Sequence, residues 1–301
     1  MDETAKLSLQ EIQAIEFSML EFLDSVCVEE GIEYCLFYGS ALGAVRHGGF
    51  IPWDDDIDVA IKREDCERLF SAIEQNTNDR YRVLRPFNPP DYRHPYAKMV
   101  DCRTSLVEPK NLPVRDMGVF IDFFPVDAFA RSGWPTRARL KLANFANKAY
   151  CSAYVRDGSA PLGKVSKFAG LVTRIMFHGV GPQRCHELVE KLVQLGSRSD
   201  GDFLACPYDA DYIIPRNWVF PCRLEAFESR SFPVPGNSDS YLKAMYGNDY
   251  MTPTRQADSF HGVAWLRESG GRFIRDSKRT VWDWCMCMMR ITQAPHHGCF
   301  W

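Results

Sequence analysis

The chain has 301 residues, 46% hydrophobic and 13% aromatic, enough for a packed core in one large domain or two small ones. A formal net charge of −3 leaves no electrostatic footprint for nucleic acid, and no nucleic-acid partner is expected. Eleven cysteines, an odd number without framework spacing, argue against a disulfide-stapled domain and for reduced thiols.

The opening "MDETAKLSLQEIQ" is acidic and then amphipathic, unlike a secretory leader, and with the cysteines it predicts a cytoplasmic protein. No apolar run reaches the roughly 18 residues that span a bilayer. Ser8 and Glu11 form a capping box, and Ile12, Ile15, Met19, Phe22 and Val26 follow at spacings of three and four. A helix with one apolar face is expected there, stopped at Gly31. "IEYCLFYGS" (32–40) reads as a buried strand ending in Gly39-Ser40, and "ALGAVRH" (41–47) as a short helix broken by Gly48-Gly49. "GFIPWDDDIDVAIK" (49–62) then carries Asp54, Asp55, Asp56 and Asp58, with Ile57, Val59 and Ile61 alternating as in a strand.

"REDCERLFSAIEQ" (63–75) predicts an amphipathic helix through Cys66, Leu69, Phe70 and Ile73. Strands are predicted in "YRVLRPF" (81–87), "YAKMVD" (96–101) and "GVFIDFFPV" (118–126). This order predicts a mixed α/β fold and not a regular βαβ repeat. From Arg131 to Arg174 nine Lys or Arg stand against one acid, Asp157, which reads as a basic helical insertion. "GPQRCHELVEKLVQLGS" (181–197) is a further helix, followed by strand-like "DYIIP" and "WVFPCRLEAFESRSFPVP" and a Tyr-rich loop, "YLKAMYGNDYMTP" (241–253). In the tail, Cys285, Cys287, His296, His297 and Cys299 match no zinc-site spacing and read as ordinary residues.

The aspartates carry the chemistry. In a strand, residues two apart share a face, so Asp54, Asp56 and Asp58 are expected to point one way, about 7 Å apart. Carboxylates so placed beside a core repel one another and lose hydration, so a positive partner is required, and a hard divalent cation suits oxygen ligands. A solvated acidic loop after Pro52 is the bland alternative. Two features favour the cation. Gly39-Ser40 opens a helix and offers amides and a hydroxyl to a phosphate, with Arg46 and His47 as nearby cationic donors. Asp122 lies inside an apolar strand between Phe120 and Phe124, where a lone acid costs several kcal/mol unless paired or metal-bound.

"FYGSALGAVRHGGFIPWDDDIDVAI", "YAKMVD", "GVFIDFFPVDAF" and "YLKAMYGNDYMTP" together resemble the LicD family of phosphotransferases, to which fukutin-related protein is distantly related. The resemblance is close over residues 9–130 and looser over 205–262. It implies a nucleotidyltransferase-like fold, with a mixed sheet flanked by helices. It also implies transfer of a phospho-alcohol from a CDP-alcohol such as CDP-choline to a glycan hydroxyl, with release of CMP. Asp56, Asp58 and Asp122 become the metal ligands for Mg²⁺ or Mn²⁺, with Asp54 an outer ligand, and Gly39 and Ser40 the phosphate-binding turn. Asp122 is alternatively a general base. Lys98 is expected to donate to a phosphate oxygen or to pair with a carboxylate.

The implied organisation is a nucleotidyltransferase-like core over 1–130, a basic helical insertion over 131–200 and a C-terminal part, 201–301, completing the core and the site. Attack on an NTP with release of pyrophosphate, an Asp-x-Asp glycosyltransferase and a non-catalytic nucleotide-binding scaffold are the competing readings. A lipid-linked glycan acceptor would bring the enzyme to the inner face of a membrane, and the basic, aromatic-rich insertion suits a peripheral contact with it. An ordinary helical hairpin is the alternative for that segment.

Overall fold

The computed structural model describes residues 6–77, 79–92, 94–107, 114–152, 182–253 and 263–266. The cysteine- and histidine-bearing tail, and the part of the basic segment between 153 and 181, lie outside the described residues.

Helix α1 (Leu9–Glu30) starts where the capping box predicts. The Ser8 N–H donates to Glu11 Oε2 at 2.7 Å, the Glu11 N–H donates to Ser8 Oγ, and Gly31 ends the helix in the left-handed region at φ 61°. Strand β1 is shorter than its apolar run. It covers Tyr34–Leu36, because α2 (Tyr38–His47) already begins at Tyr38 and takes in Gly39 and Ser40. Asp54, Asp55 and Asp56 precede β2 (Ile57–Lys62), so of the expected alternating set only Asp58 lies in the strand. Next come α3 (Arg63–Asn76), β3 (Tyr81–Leu84), β4 (Ala97–Asp101), β5 (Thr104–Val107) and β6 (Phe120–Phe129).

Helices α4 (Trp134–Ser152) and α5 (Pro182–Gln194) pack on each other, and β7 (Phe203–Cys206) and β8 (Asp209–Pro215) return the chain to the sheet. A short helix α6 (Arg216–Val219), the β9 (Arg223–Phe227) and β10 (Arg230–Val234) hairpin and α7 (Ser238–Tyr246) follow. Finally β11 (Val263–Leu266) pairs with β5. Helix α7 corrects the loop reading of "YLKAMYGNDYMTP". Asn237 caps it by accepting the Ser240 N–H, and Tyr241 and Leu242 are buried, a local signal hidden by the surrounding turn residues.

The main sheet runs β1-β2-β6-β4-β3, with β7 on the distal end of β6 and β8 beside β7. β2 and β6 are parallel and the other pairs antiparallel, which makes this the expected mixed sheet with helices against it. Alternation divides the strands between two cores. Ile57, Val59, Ile61, Ile121 and Phe123 join Met19, Leu20 and Leu23 of α1 and Leu69 and Ile73 of α3. Ala60, Phe124 and Val126 face the other way, toward Leu42 of α2 and Tyr241 and Leu242 of α7. Asp58 and Asp122 share the parity of this second face.

Candidate active site

Three adjacent strands bring the central charges together. β2 and β6 set Asp58 opposite Asp122, and β6 and β4 set Asp122 opposite Lys98. Asp56 reaches in from the loop before β2. Each of Asp56, Asp58 and Asp122 offers a carboxylate oxygen within 4.8 Å of the others. Asp54 stays outside this cluster. Its carbonyl accepts Nε2 of Gln13 on α1 at 2.8 Å, and one carboxylate oxygen would sit 3.0 Å from a Cβ placed on Gly39. A glycine at 39 therefore leaves room for the close approach of Asp54 to the start of α2.

Ser40 is buried, and its Oγ accepts the Asp58 N–H at 2.8 Å, which fixes the first residues of β2 against α2. Its O–H proton remains a donor. Tyr38, just before, has φ 37°, a costly conformation for a residue with a side chain. It is held by a hydrogen bond from its N–H to the Tyr241 hydroxyl and by ring contacts with Phe37 and Phe124.

The electrostatics explain what the cluster lacks. Burial raises the Asp58 carboxyl well above its usual range, and Asp56, Asp122 and Asp54 add to the rise while Lys98 opposes it. Lys98 is 2% exposed, with Nζ 2.5 Å from Asp122 Oδ1 and over the Phe120 ring, so the pair is a buried salt bridge beside the cluster.

Glu16 on α1 deepens the imbalance. It is 1% exposed, neither carboxylate oxygen has a hydrogen-bond partner among the described residues, and burial followed by Asp56, Asp55, Asp54 and Asp122 holds its carboxyl well above its usual range. Sequence reading passed over Glu16 because it stands within the apolar periodicity of α1. The three carboxylates of Asp56, Asp58 and Asp122 are an all-oxygen donor set that fits a hard divalent cation.

Beside the cluster lies a cavity of about 260 Å³, lined by Gly39, Arg46, Trp53, Asp54, Tyr246 and Tyr250 among others. Arg46 donates through Nη1 to the Tyr250 carbonyl and through Nε to His47 Nε2. His47 is not among the lining residues; its ring meets Trp53, and burial and Arg46 lower its pKa. Tyr246 is 40% exposed, yet its phenol is pushed up by burial and then by Asp58, Asp54 and Asp56. Trp53 and Tyr246 were not singled out in the sequence. Both lie within the quoted motifs, but their roles depend on α7 folding over the aspartate loop. A second cleft of about 480 Å³, lined by Lys62, Arg63, Asp127, Arg198 and Phe220 among others, opens at the far end of β2 and β6.

Residues 31–129 match the family model described as LicD/FKTN/FKRP, nucleotidyltransferase domain. This span contains the aspartate cluster, Gly39-Ser40, Arg46 and Lys98. Residues 31–129 are similar to the nucleotidyltransferase domain of the LicD family. Over 123 residues the chain is 36% identical to the lipopolysaccharide cholinephosphotransferase LicD of Haemophilus influenzae, covering 40% of this chain and 45% of that protein. Over 45 residues it is 53% identical to the human ribitol 5-phosphate transferase FKRP, 14% of this chain and 9% of that one. An uncharacterized protein of Rickettsia prowazekii is 39% identical over 59 residues, 20% of this chain and 22% of its own length. The chain thus spans less than half the length of these relatives. The match ends with β6, and Tyr246 and Tyr250 of the cavity come from beyond it.

Proposed function

We propose that this protein transfers a phospho-alcohol group from a CDP-alcohol to a hydroxyl of a glycan, releasing CMP, in a reaction that depends on a divalent cation such as Mg²⁺ or Mn²⁺. The observation that carries this reading is the convergence of Asp56, Asp58 and Asp122 within 4.8 Å beside an aromatic- and arginine-lined cavity. The names of the relatives, a cholinephosphotransferase and a ribitol 5-phosphate transferase, support a phospho-alcohol as the transferred group.

Phosphoryl transfer depends on positioning and charge neutralisation more than on covalent help from the protein. Asp56, Asp58 and Asp122 would hold the cation, with Asp54 behind them, and the bound ion would neutralise diphosphate charge and favour the leaving of CMP. Arg46 would bind a phosphate oxygen or the nucleotide from the cavity wall. The helix start at Gly39-Ser40 would face the diphosphate with its amides and the Ser40 O–H. Lys98 orients Asp122 through their buried pair, and Asp122 would hold the cation or take the proton of the acceptor hydroxyl. Trp53, Tyr246 and Tyr250 would contact the base or the alcohol head.

In this reading residues 1–130 are the catalytic core, 131–200 a basic helical insertion, and 201–301 a C-terminal part that completes the site. The acceptor is a glycan or lipid-linked glycan of the cell surface, and the enzyme works in the cytoplasm at the inner face of a membrane. Identification of the nucleotide product tests the reaction. CDP-choline, CDP-ribitol and CDP-glycerol are incubated in turn with Mg²⁺ and an acceptor glycan, beside CTP and ATP. CMP from a CDP-alcohol is the expected product. Pyrophosphate from an NTP would transfer the site to nucleotidyl chemistry, and the absence of both products would leave a nucleotide-binding scaffold.

A further inference from the structure

Helix α4 is apolar on two sides. Leu140 and Ala143 are buried against Phe129, Val189 and Val193. On the opposite side Trp134, Leu142 and Phe145 are 79%, 55% and 55% exposed. Arg137, Ala138 and Lys141 are exposed between them, so positions 134, 137, 138, 141, 142 and 145 make one stripe at helical spacing. No acidic residue occurs between Asp127 and Asp157. The Arg137 Nε–H donates to the Ser132 carbonyl, and among the described residues no salt bridge to Arg137 is formed.

We propose that this stripe docks on an anionic lipid surface, with Trp134, Leu142 and Phe145 at the level of the headgroups and Arg137 and Lys141 on lipid phosphates. Two arguments choose lipid over a protein partner. Two partly exposed aromatic side chains of roughly 150–250 Å² each in full, with the smaller Leu142, fall short of the ~800 Å² per partner of a stable protein interface. Large apolar side chains interleaved with cations on one helix, without a single acid, match the chemistry of an amphipathic helix lying in a membrane interface. The long stems of Arg137 and Lys141 let their charges rise to the phosphates while the apolar side chains sink. The proposal makes use of the lipid-linked acceptor suggested above, but its test is independent of turnover.

The full chain is sedimented with phosphatidylcholine vesicles and with vesicles containing phosphatidylglycerol. The measurement is made at about 0.1 M and about 1 M salt, where the screening length falls from about 10 to 3 Å. The same measurements are made on Asp58→Ala, so that loss of the reaction leaves the readout intact. Binding should need the anionic lipid and fade at high salt. Trp134→Ser with Phe145→Ser, and separately Arg137→Glu with Lys141→Glu, should each weaken it by about tenfold or more. All four positions are exposed, and equal melting temperatures of the variants verify that the fold is kept. No binding to anionic vesicles at low salt, equal binding to neutral vesicles, or unchanged binding in either pair overturns the proposal.

Discussion

Asp58 and Asp122 sit side by side across β2 and β6, yet their removal should have opposite effects on stability. Asp58 is raised by its own burial and by Asp56, Asp122 and Asp54, so Asp58→Ala removes a strained charge. Metal-free Asp58→Ala should melt at or above the wild-type temperature and show no turnover. Asp122→Asn leaves the 2%-exposed Lys98 ammonium without its 2.5 Å partner, which costs about 3 kcal/mol even with Asp58 nearby. Thermal melts in EDTA compare the two, and equal stability of both variants would remove the structural role of the Lys98 pair.

Glu16 gives a pH signature. Its folded-state pKa is raised above the ordinary 4.5, so the folded protein keeps a proton that the unfolded chain releases. Stability from this group is full below about 4.5 and is lost as pH rises from there through the folded value. Metal-free wild type should therefore lose melting temperature with rising pH more steeply than Glu16→Gln; identical slopes would show that Glu16 holds no extra proton.

At the scale of elements, α2 and the loop that follows it act as the jig for the aspartates. Gly43 is packed so closely that a Cβ there would lie 2.5 Å from the Gly49 carbonyl and 3.3 Å from the Ile51 nitrogen, both backbone atoms. Gly43→Ala must push the 49–51 segment away from α2, at a cost on the order of 2 kcal/mol. Because that segment leads into Asp54–Asp56, we expect lower cation affinity along with the lower melting temperature. A variant that loses stability but titrates Mg²⁺ normally would show that the loop is held elsewhere. Gly31→Ala is the control. Alanine there is strained by the positive φ of 61°, but nothing lies within 4 Å of its Cβ, so cation affinity should be unchanged.

For the molecule as a whole, the proposed cation site at Asp56, Asp58 and Asp122 links folding to cation binding. Saturating Mg²⁺ should stabilise the folded state by about 2.7 kcal/mol at a hundredfold over the dissociation constant, and EDTA should remove the gain. No gain in wild type, or an equal gain in Asp56→Ala, would place the cation elsewhere. No helix of the described residues is long and apolar enough to cross a membrane. Capping, periodicity and buried acids are local signals, so α1 with its caps, the amphipathic α3, the strands β2, β4 and β6, and the separate aspartates that the sheet brings together were legible in the sequence. Tertiary structure alone decided the rest. The start of α2 at Tyr38 depends on a strained φ secured by Tyr241, more than two hundred residues away. The register of β2, β6 and β4 aligned Asp58, Asp122 and Lys98, and neither strand partner nor register is written in a single run of residues. The placement of Glu16 behind the aspartate loop, and of Tyr246 over it, follows from helices packing onto opposite faces of one sheet, a contact with no periodicity of its own.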